Sequence, residues 1–107
     1  LKHGPFSLLS EDTPVVAICP EGESHDGMIS SLKEMKARGA PIIGIGTEGD
    51  QDAGDIVDLF IPIPHTDLCG NILGITVVLQ CLAYYTAKIL GRDIDKPRNL
   101  AKSVTVE

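Results

Sequence analysis

Apolar and polar positions divide the chain into three short apolar runs, one two-faced stretch and one long, nearly uncharged stretch. Val15-Val16-Ala17-Ile18-Cys19 lies between Pro14 and Pro20. Ile42-Ile43-Gly44-Ile45-Gly46 follows Gly39-Ala40-Pro41, and Leu59-Phe60-Ile61-Pro62-Ile63 completes the set. Runs without polar alternation are typical of strands covered on both faces, as in parallel sheets. Pro62 has no N–H for a ladder, which makes the third run an edge strand or a strand end. Between the first two runs, Met28, Ile29, Leu32 and Met35 recur at helical spacing opposite Lys33, Glu34 and Lys36. The pattern predicts a helix over residues 24–38. Ser24 is its N-cap, Asp26 lies in its first turn, Lys36 and Arg38 lie in its last, and Gly39 stops it. Strand, helix, strand in this order is a βαβ unit with parallel strands and a right-handed crossover. Residues 47–58 are acidic and glycine-containing, and read as a loop with one helical turn near Asp55-Ile56.

No charged residue occurs from Leu68 to Ala87. About 20 apolar residues suffice to span a bilayer, and Gly70-x-x-x-Gly74 is a small-residue contact pattern. Asn71, Thr76, Gln80, Thr86 and the Tyr84-Tyr85 pair, together with the α/β pattern elsewhere, favour a helix buried in protein. A helix hydrophobic all round is buried on all sides. A chain of this size would need another subunit or domain to cover it. Gly91 ends the helix and Pro97 prevents its resumption. Doubly wound sheets usually have about five strands, and only three are found here. The chain also opens at Leu1 rather than Met. The expectation is an excised piece that lacks the start of its own domain.

With 107 residues and 11.4 kDa there is room for one domain. The balance of 43% hydrophobic and 22% charged residues excludes disorder as a default. Aromatics are limited to Phe6, Phe60, Tyr84 and Tyr85, and the formal net charge is −6. Both argue against a nucleic-acid binder, which needs stacking rings or a basic face. The charge is uneven. Residues 1–87 hold 4 Lys/Arg against 12 Asp/Glu, a balance of −8, and residues 88–107 hold 5 against 3, a balance of +2. The basic end is either a solvated tail or a segment that meets something anionic. Cys19, Cys69 and Cys81 form no C-x-x-C pair, and each sits in an apolar run. They read as small buried hydrophobes in a reducing compartment.

Most familiar chemistry is missing. Gly44-Ile45-Gly46 lacks the third glycine of a dinucleotide fingerprint and reads as small residues where elements pack closely. His25 and His65 have no ligand partners at metal spacing, so no metal is expected and both read as loop or cap histidines. Asp50, Asp52 and Asp55 are not in EF-hand order. Two segments remain. Leu1-Lys2-His3-Gly4-Pro5 places His3 in a turn, where an imidazole could move a proton near neutral pH. The end of the chain, from Pro97 to Glu107, alternates apolar and polar residues from Leu100. It reads as a tail that docks on a surface and holds Lys102 in place. A positioned lysine can bind a phosphate or carbonyl oxygen, or condense with an open-chain sugar carbonyl.

The ending Asp95-Lys-Pro-Arg-Asn-Leu-Ala-Lys-Ser-Val-Thr-Val-Glu107 resembles the C-terminus of the glutamine–fructose-6-phosphate aminotransferases, the glucosamine-6-phosphate synthase family. Leu1-Lys-His-Gly-Pro5 resembles that family's L-K-H-G-P segment, and Gln80-Cys-Leu-Ala-Tyr84 its last long helix. The motifs keep the family's order and separation across the chain. Tyr85 stands where a histidine is common, and Lys96 replaces a more usual Gln or Phe.

The resemblance implies a partial flavodoxin-like, sugar-isomerase (SIS) α/β fold. About three parallel strands are flanked by helices, with residues 1–97 in the second SIS subdomain and 98–107 an extended tail entering the active site. It implies a cytoplasmic homodimeric enzyme that needs no cofactor and converts fructose 6-phosphate and glutamine to glucosamine 6-phosphate. Partners outside this stretch are an upstream glutaminase domain, the first SIS subdomain and a second subunit. His3 corresponds to the ring-opening histidine given to the neighbouring subunit's site, and Lys102 to the lysine that reaches the sugar carbonyl. Ala101 would touch the sugar, while Arg98 and Asn99 would anchor the tail. The phosphate-binding loop and the proton-shuttling glutamate belong upstream, so this stretch alone is expected to be inactive. Two other readings are a SIS-type regulatory module that binds a sugar phosphate without turnover, and a phosphosugar isomerase without a glutaminase domain.

Overall fold

The computed structural model describes residues 4–97, which form two compact units, one ending at Ile75 and one beginning at Thr76. In the first unit the three apolar runs are strands β1 (Val15–Cys19), β2 (Ile42–Thr47) and β3 (Leu59–Ile63). They pair in parallel in the order β1-β2-β3, as the βαβ reading requires. Helix α1 (His25–Ala37) crosses between β1 and β2. Gly39, at φ 77°, turns the chain out of it through the left-handed region that glycine tolerates. Ser24 stands at the N-cap position but makes no side-chain cap bond.

The register sorts the strands into two faces. Val15 pairs with Ile42, while Ala17, Gly44 and Phe60 lie side by side, as do Cys19, Gly46 and Pro62. This face carries the core, in which Ala17, Cys19 and Ile42 pack with Leu32 and Met35 of α1, with Phe6 and with Ala53. Phe6 reaches it from a 3-10 turn over Pro5–Leu8 and has the Arg38 guanidinium 5.6 Å from its ring. Gly44 and Gly46 are small because the space above them is occupied. A Cβ at Gly46 would stand 2.9 Å from the Cys19 carbonyl oxygen and 3.1 Å from the Phe60 ring. On the opposite face Ile45, Thr47 and Ile63 are buried, but Val16, Ile18 and Leu59 are exposed.

The acidic segment after β2 departs from expectation. Its helical turn, α2, spans Gln51–Gly54 rather than lying at Asp55-Ile56. The Asp50 carboxylate fixes the start, since it accepts the Ala53 N–H at 3.0 Å. At the other end of the sheet, Asp58 joins three elements. One oxygen accepts the Ile42 N–H at 2.8 Å, and the other takes the Lys36 ammonium. The lysine, then the amide, hold this carboxyl below the usual carboxylate range.

Helix α3 (Leu68–Ile89) begins in the first unit and continues through the second. Asp67 starts it by accepting the Gly70 N–H at 2.8 Å. Gly91 turns the chain at φ 63°, with the Arg92 N–H on the Ala87 carbonyl at 2.8 Å. Asp93 then accepts the N–H groups of Asp95 and Lys96. Cys69 and Cys81 ride on this helix and are exposed, against the expectation of burial, whereas Cys19 is buried.

Two glycine substitutions in the intact protein separate these roles. Gly46→Ala meets backbone and should destabilise by about 1–3 kcal/mol. Gly27→Ala, in α1 with nothing within 4 Å of the new Cβ, should stabilise by up to about 1 kcal/mol. Thermal unfolding midpoints moving in opposite directions are the expected result.

Candidate functional site

In open parallel sheets ligands bind outside the carboxyl ends of the strands, where the connecting loops meet. Several polar side chains of the first unit lie there. Thr47, the last residue of β2, is 2% exposed, and its hydroxyl accepts the Glu21 N–H at 3.0 Å. This bond ties the loop after β1 to the end of β2. Four residues further on, His25 opens α1 and its Nε2 lies 2.7 Å from the Asp50 carboxylate. His65, in the loop after β3, sets Nε2 3.1 Å from the Glu21 carboxylate. Glu21, His25, Gly49, Asp50, Gln51 and Asp52 line an open cleft of about 400 Å³.

The two histidine–carboxylate pairs differ in weight. The His25 and Asp50 side chains are 17% and 5% exposed, whereas His65 and Glu21 are 73% and 54% exposed. An exposed pair contributes little because water screens it, so the inner pair carries the geometry. The Asp50 hydrogen bond raises the His25 pKa above its ordinary 6.5; burial opposes this, and the charges of Asp50, Asp26 and Asp52 reinforce it. Burial pushes Asp50 upward, but the Ala53 N–H and His25 outweigh it and hold the carboxyl below its ordinary 3.8. Cys19 lies beneath. Burial, then the Asp50 charge, push its thiol up to about 11.

The arrangement can share one proton between an imidazole and a carboxylate and can present acceptors to a polar or cationic group. Among the described residues no cluster of three or more His, Cys, Asp or Glu could hold a metal ion. The residues singled out by the sequence lie elsewhere in the chain. His3, Arg98, Asn99, Ala101 and Lys102 are all outside the described residues. His65 is a loop histidine, as read, whereas His25 is the first residue of α1, after the N-cap position Ser24, and is paired with Asp50. Their acidic partners went unnoticed because 25 residues separate His25 from Asp50. The available signal was the position of each group just after a strand of one parallel sheet.

Two outcomes follow. Replacing Asp50 by Ala removes a cap and a charge-assisted bond together, and should cost about 2–3 kcal/mol, read as a lower unfolding midpoint of the intact protein. With its thiol near 11, Cys19 is about one part in a thousand thiolate at pH 8. It should resist iodoacetamide in the native protein and react once the protein is unfolded.

Comparison with known proteins places this fold. The model for the SIS domain matches residues 1–89. The whole chain is 52% identical to part of a glutamine–fructose-6-phosphate aminotransferase (isomerizing) of Methanosarcina acetivorans, covering 17% of that protein. It is 44% identical to the Thermus thermophilus protein of the same name, covering 18% of it. A solved structure, the C-terminal domain of glucosamine-fructose-6-phosphate aminotransferase from Francisella tularensis, superposes with a TM-score of 0.79 at 30% identity. That match covers 90% of this chain and 27% of the other. The chain thus spans about a sixth of the length of the curated relatives it matches, at their C-terminal part. It belongs to the SIS domain family, and its whole length is similar to the C-terminal part of the isomerizing glutamine–fructose-6-phosphate aminotransferases.

Proposed function

We propose that this chain is part of the sugar-isomerase half of an enzyme that makes glucosamine 6-phosphate from fructose 6-phosphate and glutamine. The observation that carries the reading is similarity over the entire chain, at 44% identity or more, to aminotransferases named for that reaction. In this reading the reaction needs a sugar ring opened, an imine formed at C2 and a proton moved between C1 and C2. His3 serves ring opening as acid and base at the neighbouring subunit's site, since imidazole can give or take a proton near neutrality. Lys102 brings an ammonium or amine to the sugar carbonyl, as a charge or as an imine-forming nucleophile. Ala101 lies beside the sugar, with Arg98 and Asn99 holding the tail. Glutamine hydrolysis, phosphate binding and the C1/C2 proton shuttle fall to parts of the protein outside this stretch, so the stretch alone has no turnover.

The surface of the chain supports partners of this kind. Helix α3 is long and apolar enough to cross a membrane by length and composition, and it is largely exposed. Leu68, Leu73, Val77, Tyr85 and Ile89 are exposed along it. Asn71 is its buried residue, with no hydrogen-bond partner for Oδ1 among the described residues. A polar side chain of this sort, with Gln80 and Thr86, suits a protein neighbour better than lipid. We assign the cover to the first SIS subdomain and the second subunit of a homodimer in the cytoplasm.

Removing residues 98–107 from the full-length protein should lower glucosamine 6-phosphate formation at least about 100-fold, while glutamine hydrolysis persists. Full sugar activity after the deletion refutes the role given to the tail. His3→Ala should slow turnover of the cyclic sugar more than that of an open-chain analogue; an equal effect on both removes His3 from ring opening. Sugar-phosphate binding without any product in the full-length protein would instead support a regulatory module.

A further inference from the structure

Three loops follow the three strands at the carboxyl rim, and each is tied to a neighbour by a polar bond. His25, at the end of the β1–α1 connection, reaches Asp50 in the β2–α2 connection at 2.7 Å. His65, in the β3–α3 connection, reaches Glu21 of the β1–α1 connection at 3.1 Å. Glu21 is also fixed through its own N–H on Thr47. Asp50 has a second task, since its other oxygen caps α2 through the Ala53 N–H. A loss of the His25 bond therefore loosens both the cleft wall and the short helix behind it.

We propose that the His25–Asp50 pair is a pH-responsive clasp that holds together the loops lining the cleft at the carboxyl rim. The groups that face His25 are nearly all acidic. Asp26 comes from α1, with its carboxylate 3.9 Å from Nδ1. Asp50 and Asp52 come from the β2–α2 segment, and Glu21 from the loop below, where it is shared with His65. Beneath them Cys19 stays a neutral thiol across the physiological range. The N-terminus of α1 alone would disfavour an imidazolium at His25. The surrounding carboxylates outweigh it, in line with the raised pKa.

The direction follows from linkage. His25 binds its proton more tightly in the folded protein, so its contribution is complete below 6.5 and is lost as pH rises through its raised value. Asp50 has a lowered pKa, so its contribution is complete above 3.8 and is lost as pH falls through that lowered value. The clasp is therefore tightest in mildly acidic solution and slackens toward alkaline pH. The reading is independent of which reaction the parent protein catalyses.

Hydrogen exchange of the intact protein, followed by mass spectrometry and corrected for intrinsic exchange rates, tests it. Between about pH 5.5 and 8.5, protection of peptides covering residues 20–27 and 49–55 should fall about three- to tenfold, while β2 stays constant. His25→Gln keeps a donor toward Asp50 but gains no charge. It should show low protection at both pH values, and Asp50→Asn should do the same. A flat wild-type profile overturns the proposal, as does a His25→Gln protein that keeps the wild-type pH dependence. The wild-type profile decides the matter even where Asp50→Asn does not fold.

Discussion

The dominant constraint on this chain is apolar surface that it makes and cannot cover. A 22-residue helix whose buried residue is an asparagine has no stable existence in water by packing against itself. The sheet shows the same deficit. Val16, Ile18 and Leu59 are exposed on one face, and β1 offers an open edge. A small chain buries a smaller fraction of its surface than a large one. The chain matches 17% of the length of its relatives.

Within the first unit, order is imposed at the two ends of the sheet by two carboxylates. Asp58 gathers α1, β2 and the start of β3 at the amino end, and Asp50 gathers α1 and α2 at the carboxyl end. The core between them is apolar and close-packed, with Leu32, Ile42 and Ile45 fully enclosed. The apolar core sets stability, and the carboxylates set which loops stand where. The carboxyl-end loops are consequently held by a histidine–carboxylate pair, and the amino end by a lysine–carboxylate pair.

The strands and long helices were legible because local pattern and tertiary environment agree there. Val15–Cys19 and Leu59–Ile63 are found at the residues their apolar runs predict, and α1 differs from its expected span by a residue at each end. The position of α2 was not legible, because it depends on one cap, Asp50, rather than on any periodicity. Cys69 and Cys81 were misread as buried. An all-apolar helix gives no sign of which side is covered or by what. The His25–Asp50 pair was hidden for a different reason, since it arises from chain folding and not from spacing. The candidate catalytic residues His3 and Lys102 were reached through resemblance at the two ends of the chain, and lie outside the described residues.

The central claim is that this stretch is one part of a larger body whose apolar helix meets another part. Sedimentation of the 107-residue chain by itself, with and without an excess of the preceding isomerase segment, tests this most directly. The account predicts that the lone chain self-associates and binds a hydrophobic dye, and that the added segment converts it to a defined complex with the dye released. A lone chain that sediments as a monodisperse monomer, binds no dye and ignores the added segment would contradict it.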